Sequence, residues 1–314
     1  MELKVPNKVY HYCSLDTFCK IINNKSLRMT NIQKSNDKLE IRYCYKSFKD
    51  TFIKACNDYS KNKEYEIAEV FNRIDFEYLL SKSILNESLI YYAVCFSEDN
   101  DLLSQWRAYS DNGKGVAIGF NTECFFNINE TNHMKFGQVY YDISSTCNKM
   151  YSHIIDKLSF IENQNHRNSI ITDYENALYD LSNQIVYNSV FYKHNSFREE
   201  REWRLVYYPF GRIKNLKDYN KNNIEYFYDR MMEPALYQKE YNGIKRGKLE
   251  FMHTDTKLIS YLDLDFSSLN NELINEIVIG PKADINDYEL RLFLLSNGFN
   301  ISKITIKDSN SPYL

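Results

Sequence analysis

Two glutamates separated by one residue, Glu200 and Glu202, with Arg204 two positions further on, are the residues whose types and spacing are best suited to chemistry. They lie in Phe197-Arg198-Glu199-Glu200-Arg201-Glu202-Trp203-Arg204-Leu205-Val206-Tyr207-Tyr208, which turns from charged to aromatic and β-branched and is expected to be one strand. Successive side chains of an extended chain alternate, so Glu200, Glu202, Arg204 and Val206 would share one face and Arg201, Trp203, Leu205 and Tyr207 the other. The first face would then present a guanidinium and two carboxylates about 7 Å apart, spaced for different parts of one polar ligand. The second is an apolar anchor with Arg201 at its wet end. The same residues read equally well as a structural ion-pair cluster, in which Arg204 neutralises both glutamates.

The chain that must position them has 314 residues, 43% hydrophobic and 26% charged, enough to bury a sizeable core in a globular protein. With 27 Tyr and 19 Phe against 9 Gly and 5 Pro, disordered and fibrous classes are excluded. A net charge of −3 without a long basic run argues against general affinity for nucleic-acid backbone, while leaving a local groove open. The seven cysteines contain no Cys-x-x-Cys pair and are expected to be small buried thiols. The six histidines have no metal-ligand spacing, so no metal is indicated. No apolar leader and no run of eighteen apolar residues occurs, which predicts a cytoplasmic protein without a membrane partner.

In chain order, Lys8–Tyr12 predicts a short strand, Leu15–Asn23 a helix capped by Ser14, and Ser26–Thr30 a second strand before a polar loop containing Asn36 and Asp37. The spacing of Ile41, Tyr45, Phe48 and Phe52, repeated by Ile67, Val70, Phe71 and Ile74, predicts two helices. Leu89–Ser97 is apolar throughout and is expected to be a central strand. Leu102–Tyr109 predicts a short helix on which Trp106 and Tyr109 share a face. The rings would either bracket a planar ligand or pack the core, and Gly113 and Gly115 are turn glycines before the strand Val116–Phe120. From about 139 to 193 the period is helical, and these helices are expected to cover the sheet. His153, His166 and His194 are assigned no role. After a polar stretch reaching about Lys248, strands at Lys257–Leu262 and Glu276–Gly280, a helix at Asn286–Ser296 and a strand at Ile301–Ile306 close the chain, the last two strands parallel.

These segments resemble the bacterial domain-of-unknown-function 2971 family. The likeness rests on Val9-Tyr10-His11-Tyr12, Asn36-Asp37 with Glu40, Cys95-Phe96-Ser97, and Leu103-Ser104-Gln105-Trp106-Arg107-Ala108-Tyr109 with Gly115–Phe120. It continues through Lys193 with Glu200-Arg201-Glu202-Trp203-Arg204, Ile277–Lys282, and Ser309 with Pro312-Tyr313. It implies one domain over 1–314, with helical insertions at about 41–82 and 145–190. The layout is also similar to that of NAD-dependent ADP-ribosyltransferases, including DNA-modifying toxins. This implies an α+β fold with a mixed central sheet, ADP-ribosyltransferase-like, and a toxin or anti-phage effector that takes NAD as co-substrate and a nucleic acid or protein as acceptor.

On that resemblance Glu202 would stabilise the ribosyl cation and Glu200 would polarise the acceptor or orient Glu202. Trp106 or Tyr109 would stack on nicotinamide, Tyr10 or His11 would hold the ribose, and Arg204 or Arg107 would pair with the diphosphate. Asn36 and Asp37 are assigned to substrate binding. Two other classes fit the same residues. One is a metal-dependent nuclease using Glu200, Glu202, Asp37 and Glu40; the other is a non-catalytic module that binds a nucleotide or a protein.

Overall fold

A computed structural model describes residues 5–32, 40–61, 63–64, 68–69, 71, 91–126, 133–163, 170–209, 238–241 and 243–313. In chain order they form β1 (Lys8–Cys13), α1 (Leu15–Asn24), β2 (Ser26–Asn31), α2 (Glu40–Ser60), β3 (Tyr92–Ser97), α3 (Leu103–Tyr109), β4 (Val116–Asn121), α4 (Thr122–Phe126), β5 (Met134–Gln138) and α5 (Ile143–Asn163). There follow α6 (Ile170–Ser189), β6 (Glu202–Tyr207), β7 (Lys239–Tyr241), β8 (Ile244–His253), β9 (Leu258–Asp265), α7 (Asn270–Leu273), β10 (Ile274–Ile279), α8 (Asp287–Ser296) and β11 (Thr305–Asp308). The class is α+β, as expected.

Local chemistry explains the elements that hold the site. The Ser14 side chain accepts the N–H of Thr17 and starts α1, whose Phe18, Ile21 and Ile22 recur at helical spacing and are buried. Left-handed Lys25 then stops the helix and turns the chain into β2. At the other end Asn286 caps α8 by accepting from Tyr288 and Glu289, and α8 carries the chain from β10 to β11, which run parallel. The other described strand pairs are antiparallel.

Among the described residues eleven strands join in one sheet, ordered β11-β10-β4-β1-β3-β2-β9-β8-β7, with β6 on β3 and β5 on β6. The strand expected at Leu89–Ser97 is its branch point. β6 pairs with β3 along its whole length, from Tyr92↔Tyr207 to Ser97↔Glu202. The opposite edge of β3 is therefore shared: β2 pairs at Tyr92 and Ala93, and β1 only at Ser97. β1 and β2 splay apart between these points.

Val9, Phe96, Phe120, Phe136, Trp203 and Leu205 belong to the main core. Tyr10, Tyr12, Trp106, Ala117 and Val278 form a smaller cluster, with Tyr12 edge-on to Trp106. The helical regions α2, α5 and α6 bury their apolar stripes chiefly against one another, through Phe48, Phe52, Leu158 and Leu178. Val190 and Phe191, just after α6, pack instead beside Val206 of the sheet. Three strands escaped sequence reading: β5, β7 and β8. β8 lies at the end of the polar stretch, where Lys, Arg and Glu alternate without an apolar run.

Candidate active site at the start of β6

The run Phe197–Tyr208 is not one strand. Asn195–Glu200 forms a 3-10 turn, started by His194, whose ring accepts the N–H of Ser196. Arg201 is left-handed (φ 43°), a conformation that costs a non-glycine residue about 1–2 kcal/mol, and it breaks the ladder. The turn is held there by Arg201 N–H on the Arg198 carbonyl and by Glu98 N–H on the Arg201 carbonyl, 3.0 Å away. The strand begins at Glu202. Its face assignment holds from that point: Trp203, Leu205 and Tyr207 enter the main core, and Glu202 and Arg204 share the other side.

Glu200 reaches the same place from the turn. Lys193 Nζ lies 2.7 Å from Glu200 Oε2 and 3.1 Å from Glu202 Oε2, joining the two carboxylates. Arg204 then closes on Glu202, with Nε donating to Oε1 at 2.7 Å and Nη2 to Oε2 at 2.9 Å, while Nη1 donates to the Val190 carbonyl at 2.6 Å. Glu202 is 4% and Arg204 1% exposed. Glu200 is the more accessible carboxylate, and its Oε1 accepts from the Tyr109 hydroxyl at 3.3 Å. Tyr109 is 47% exposed. The Tyr141 hydroxyl accepts the N–H of Glu202 at 2.9 Å, and Ser97 Oγ donates to the Glu200 carbonyl at 2.8 Å. Cys95 is the cross-strand partner of Arg204 and shares its face with Glu202.

Two carboxylates and two cations give this group no net charge, yet they treat the carboxylates differently. Burial pushes the Glu202 carboxyl up, but the Arg204 guanidinium, and after it Lys193, outweigh this and hold it well below the usual carboxylate range. At Glu200 burial prevails over Lys193, and that carboxyl is raised. The Tyr109 and Tyr141 hydroxyls are pushed up by burial and remain protonated.

Residues 105–205 match the family model described as Protein of unknown function (DUF2971). Over this segment the chain is similar to the DUF2971 family. No curated protein and no solved structure matches it. The DUF2971 segment contains Tyr109, Tyr141, Lys193, Glu200, Glu202 and Arg204, so most of the site is formed within it; Cys95 comes from outside.

The residues expected at the site separate into two groups. Glu200, Glu202, Tyr109 and Arg204 converge; His11, next to Tyr10 in β1, turns to the opposite face of the sheet, where its ring packs edge-on against Phe96 of the main core, so it is not brought to the glutamates. The His11 Nδ1 stands 3.0 Å from the Cys95 carbonyl in the gap between β1 and β2. A carbonyl only accepts, so Nδ1 carries the proton; burial lowers the pKa of the ring, with the carbonyl opposing.

Four further assignments are corrected. Trp106 is 0% exposed, in the core, with Nε1 donating to Asp101 at 2.7 Å, so its ring has no face for nicotinamide and does not bracket a ligand with Tyr109. Tyr10 is buried and its hydroxyl goes to Glu276, 3.2 Å away. Arg107, two helical positions from Tyr109 and so on the opposite side of α3, lies over the Tyr313 ring at 4.8 Å. Arg204 is spent on Glu202 and the Val190 carbonyl, facing inward where a diphosphate would not reach it. Asn36 and Asp37 lie outside the described residues.

Three participants were given no role from sequence: Lys193, Tyr141 and Cys95. A lone Lys after a helix and a Tyr before one carry no local signal. Cys95, expected to be buried, is exposed because it faces the splayed edge of a central strand. Among the described residues no group of three or more His, Cys, Asp or Glu could hold a metal ion, and no helix is long and apolar enough to cross a membrane.

Proposed function

We propose that the chain is an NAD-cleaving transferase of ADP-ribosyltransferase type, with Glu200 as the carboxylate that meets the ligand and Glu202 as the ionised group behind it. One observation carries this reading: two carboxylates share Lys193 while their surroundings push their pKa values apart, and the raised one is the one beside the exposed Tyr109. Such a split assigns acid–base roles. When the nicotinamide–ribose bond breaks, nicotinamide leaves with the bonding pair and positive charge develops on the sugar. The Glu200 carboxylate would stabilise that charge and take the proton of the attacking acceptor, a task favoured by its raised pKa. Tyr109 would lie along the ring plane of the ligand. These roles exchange the two glutamates relative to expectation from sequence, because Glu202 has both oxygens committed and is buried.

The test is nicotinamide release from NAD by purified protein, with and without cell lysate as acceptor, for wild type and Glu200→Gln. Release that withstands a chelator and disappears in a variant with wild-type Tm is the expected result. Absence of release from wild type in both conditions contradicts it. A second reading, a non-catalytic module whose ion pairs are structural, is favoured by the complete satisfaction of Glu202 and would then be preferred. The metal-dependent alternative has less support, since Lys193 and Arg204 occupy three of the four Glu200 and Glu202 oxygens that would ligate a cation.

A further inference from the structure

A second buried glutamate stands on the same face of the sheet. Glu276↔Gly119, Gly119↔Tyr10, Tyr10↔Ser97 and Ser97↔Glu202 are successive cross-strand pairs, so one transverse row runs from Glu276 to Glu202. Directly opposed residues point to the same face. Four strand spacings separate the ends by about 19 Å, making them two centres and not one.

The Glu276 side chain is 6% exposed and each oxygen takes one ammonium: Lys8 at 2.7 Å on Oε2 and Lys307 at 2.6 Å on Oε1. Tyr10 donates to Oε2 at 3.2 Å and Asn100 to Oε1 at 3.3 Å. The arrangement needs Gly119: a Cβ there would stand 2.8 Å from Glu276 Cβ and 3.0 Å from the Tyr10 ring. Unlike the Glu200–Glu202 centre, this one has one carboxylate for two cations and is net positive. Its lysines are also outward, with side chains 34% and 41% exposed. Each ammonium has three N–H groups, of which the carboxylate uses one. Two partly exposed ammoniums are thus held on the two oxygens of one buried carboxylate, each with N–H groups left over that can meet an anion.

We propose that Lys8 and Lys307, held by Glu276, form a phosphate-binding clamp separate from the Glu200 site. Burial opposes ionisation of Glu276, but Lys307 and Lys8 hold its carboxyl down to about 2, so the steering charge is present at neutral pH. The bound group is a phosphoryl dianion, either the free ion or the phosphomonoester of a larger ligand.

Phosphorus NMR or calorimetric titration of the full chain with inorganic phosphate and, separately, with adenosine monophosphate tests this. Wild type should bind phosphate, and Lys307→Ala and Lys8→Ala should each weaken it about tenfold, since each removes one of two charged contacts. Either variant leaves Glu276 one lysine, and its Tm checks the fold. Equal loss of both ligands with tighter monophosphate binding identifies a phosphomonoester; phosphate binding alone identifies the free ion. Binding by neither ligand, or binding unchanged in both variants, overturns the clamp. Because the readout is binding, failure of the NAD assay does not affect it.

Discussion

The two buried glutamates of the sheet face, Glu202 and Glu276, solve the same problem with different cations. Both are desolvated, and both are kept ionised by paired positive charge. Glu202 uses a guanidinium that is itself 1% exposed, so the pair stands or falls together. Glu276 uses two lysines whose flexible stems reach water. A buried Arg–carboxylate pair fixes geometry, and exposed lysines leave a charge available. Inward cations hold Glu200 and the strand start in place; outward ones can exchange partners.

The comparison breaks most sharply at Arg204. Arg204→Met should lower unfolding free energy by about 3–5 kcal/mol, because it removes the bidentate partner of buried Glu202 and leaves it only the Lys193 that it shares with Glu200; urea denaturation measures it. Glu202→Gln should follow at about 3 kcal/mol, stranding the guanidinium instead. Glu276→Gln should cost only about 1 kcal/mol, since Lys8 and Lys307 return to water and solvent screens what they lose. If Glu276→Gln proved as damaging as Glu202→Gln, the distinction between inward and outward cations would be wrong.

Acid sharpens the contrast. Both carboxyls are depressed in the folded state, so the unfolded chain binds protons first, and stability falls as pH drops from about 4.5 toward 2. Glu200, raised by burial, works with the opposite sign: its contribution is present below the ordinary glutamate pKa and is lost as pH rises through its raised value. Unfolding followed against pH should thus lose part of its acid sensitivity in Glu276→Gln. The smallest effect expected on stability is that of Tyr109→Phe, within about 0.5 kcal/mol. It removes a hydrogen bond that lowers the Glu200 pKa, so the acid limb of the activity profile should move to higher pH.

Sequence made much of this legible where one periodic pattern decides one element. The Ser14 start and helical stripe of α1, the existence of α8 and the parallel β10–β11 pair were readable, although Asn286 proves to be the cap of α8 and β11 starts only at Thr305, after a 3-10 turn at Ile301–Lys303. Alternation from Glu202 onward correctly separated Trp203 and Leu205 from Arg204. It failed one residue earlier, because the left-handed Arg201 has no signature in a run of charges. Glu200 still joined Glu202, through Lys193 and not through strand periodicity. Trp106 and Tyr109 show the limit of helical spacing. Three residues bring side chains to adjoining positions, but the sheet beneath decides that one is core and the other surface. Glu276 was passed over within an apolar strand, since only the cross-strand row reveals that Gly119 makes room for it.

The division of labour between the adjacent carboxylates is tested most directly by nicotinamide release from NAD by Glu200→Gln and Glu202→Gln side by side, each rate divided by the folded fraction at the assay temperature. Glu200→Gln is expected to keep the fold and lose turnover, whereas Glu202→Gln loses stability and keeps measurable turnover per folded molecule. Full turnover in Glu200→Gln, with none in folded Glu202→Gln, would contradict it and return the reacting role to Glu202.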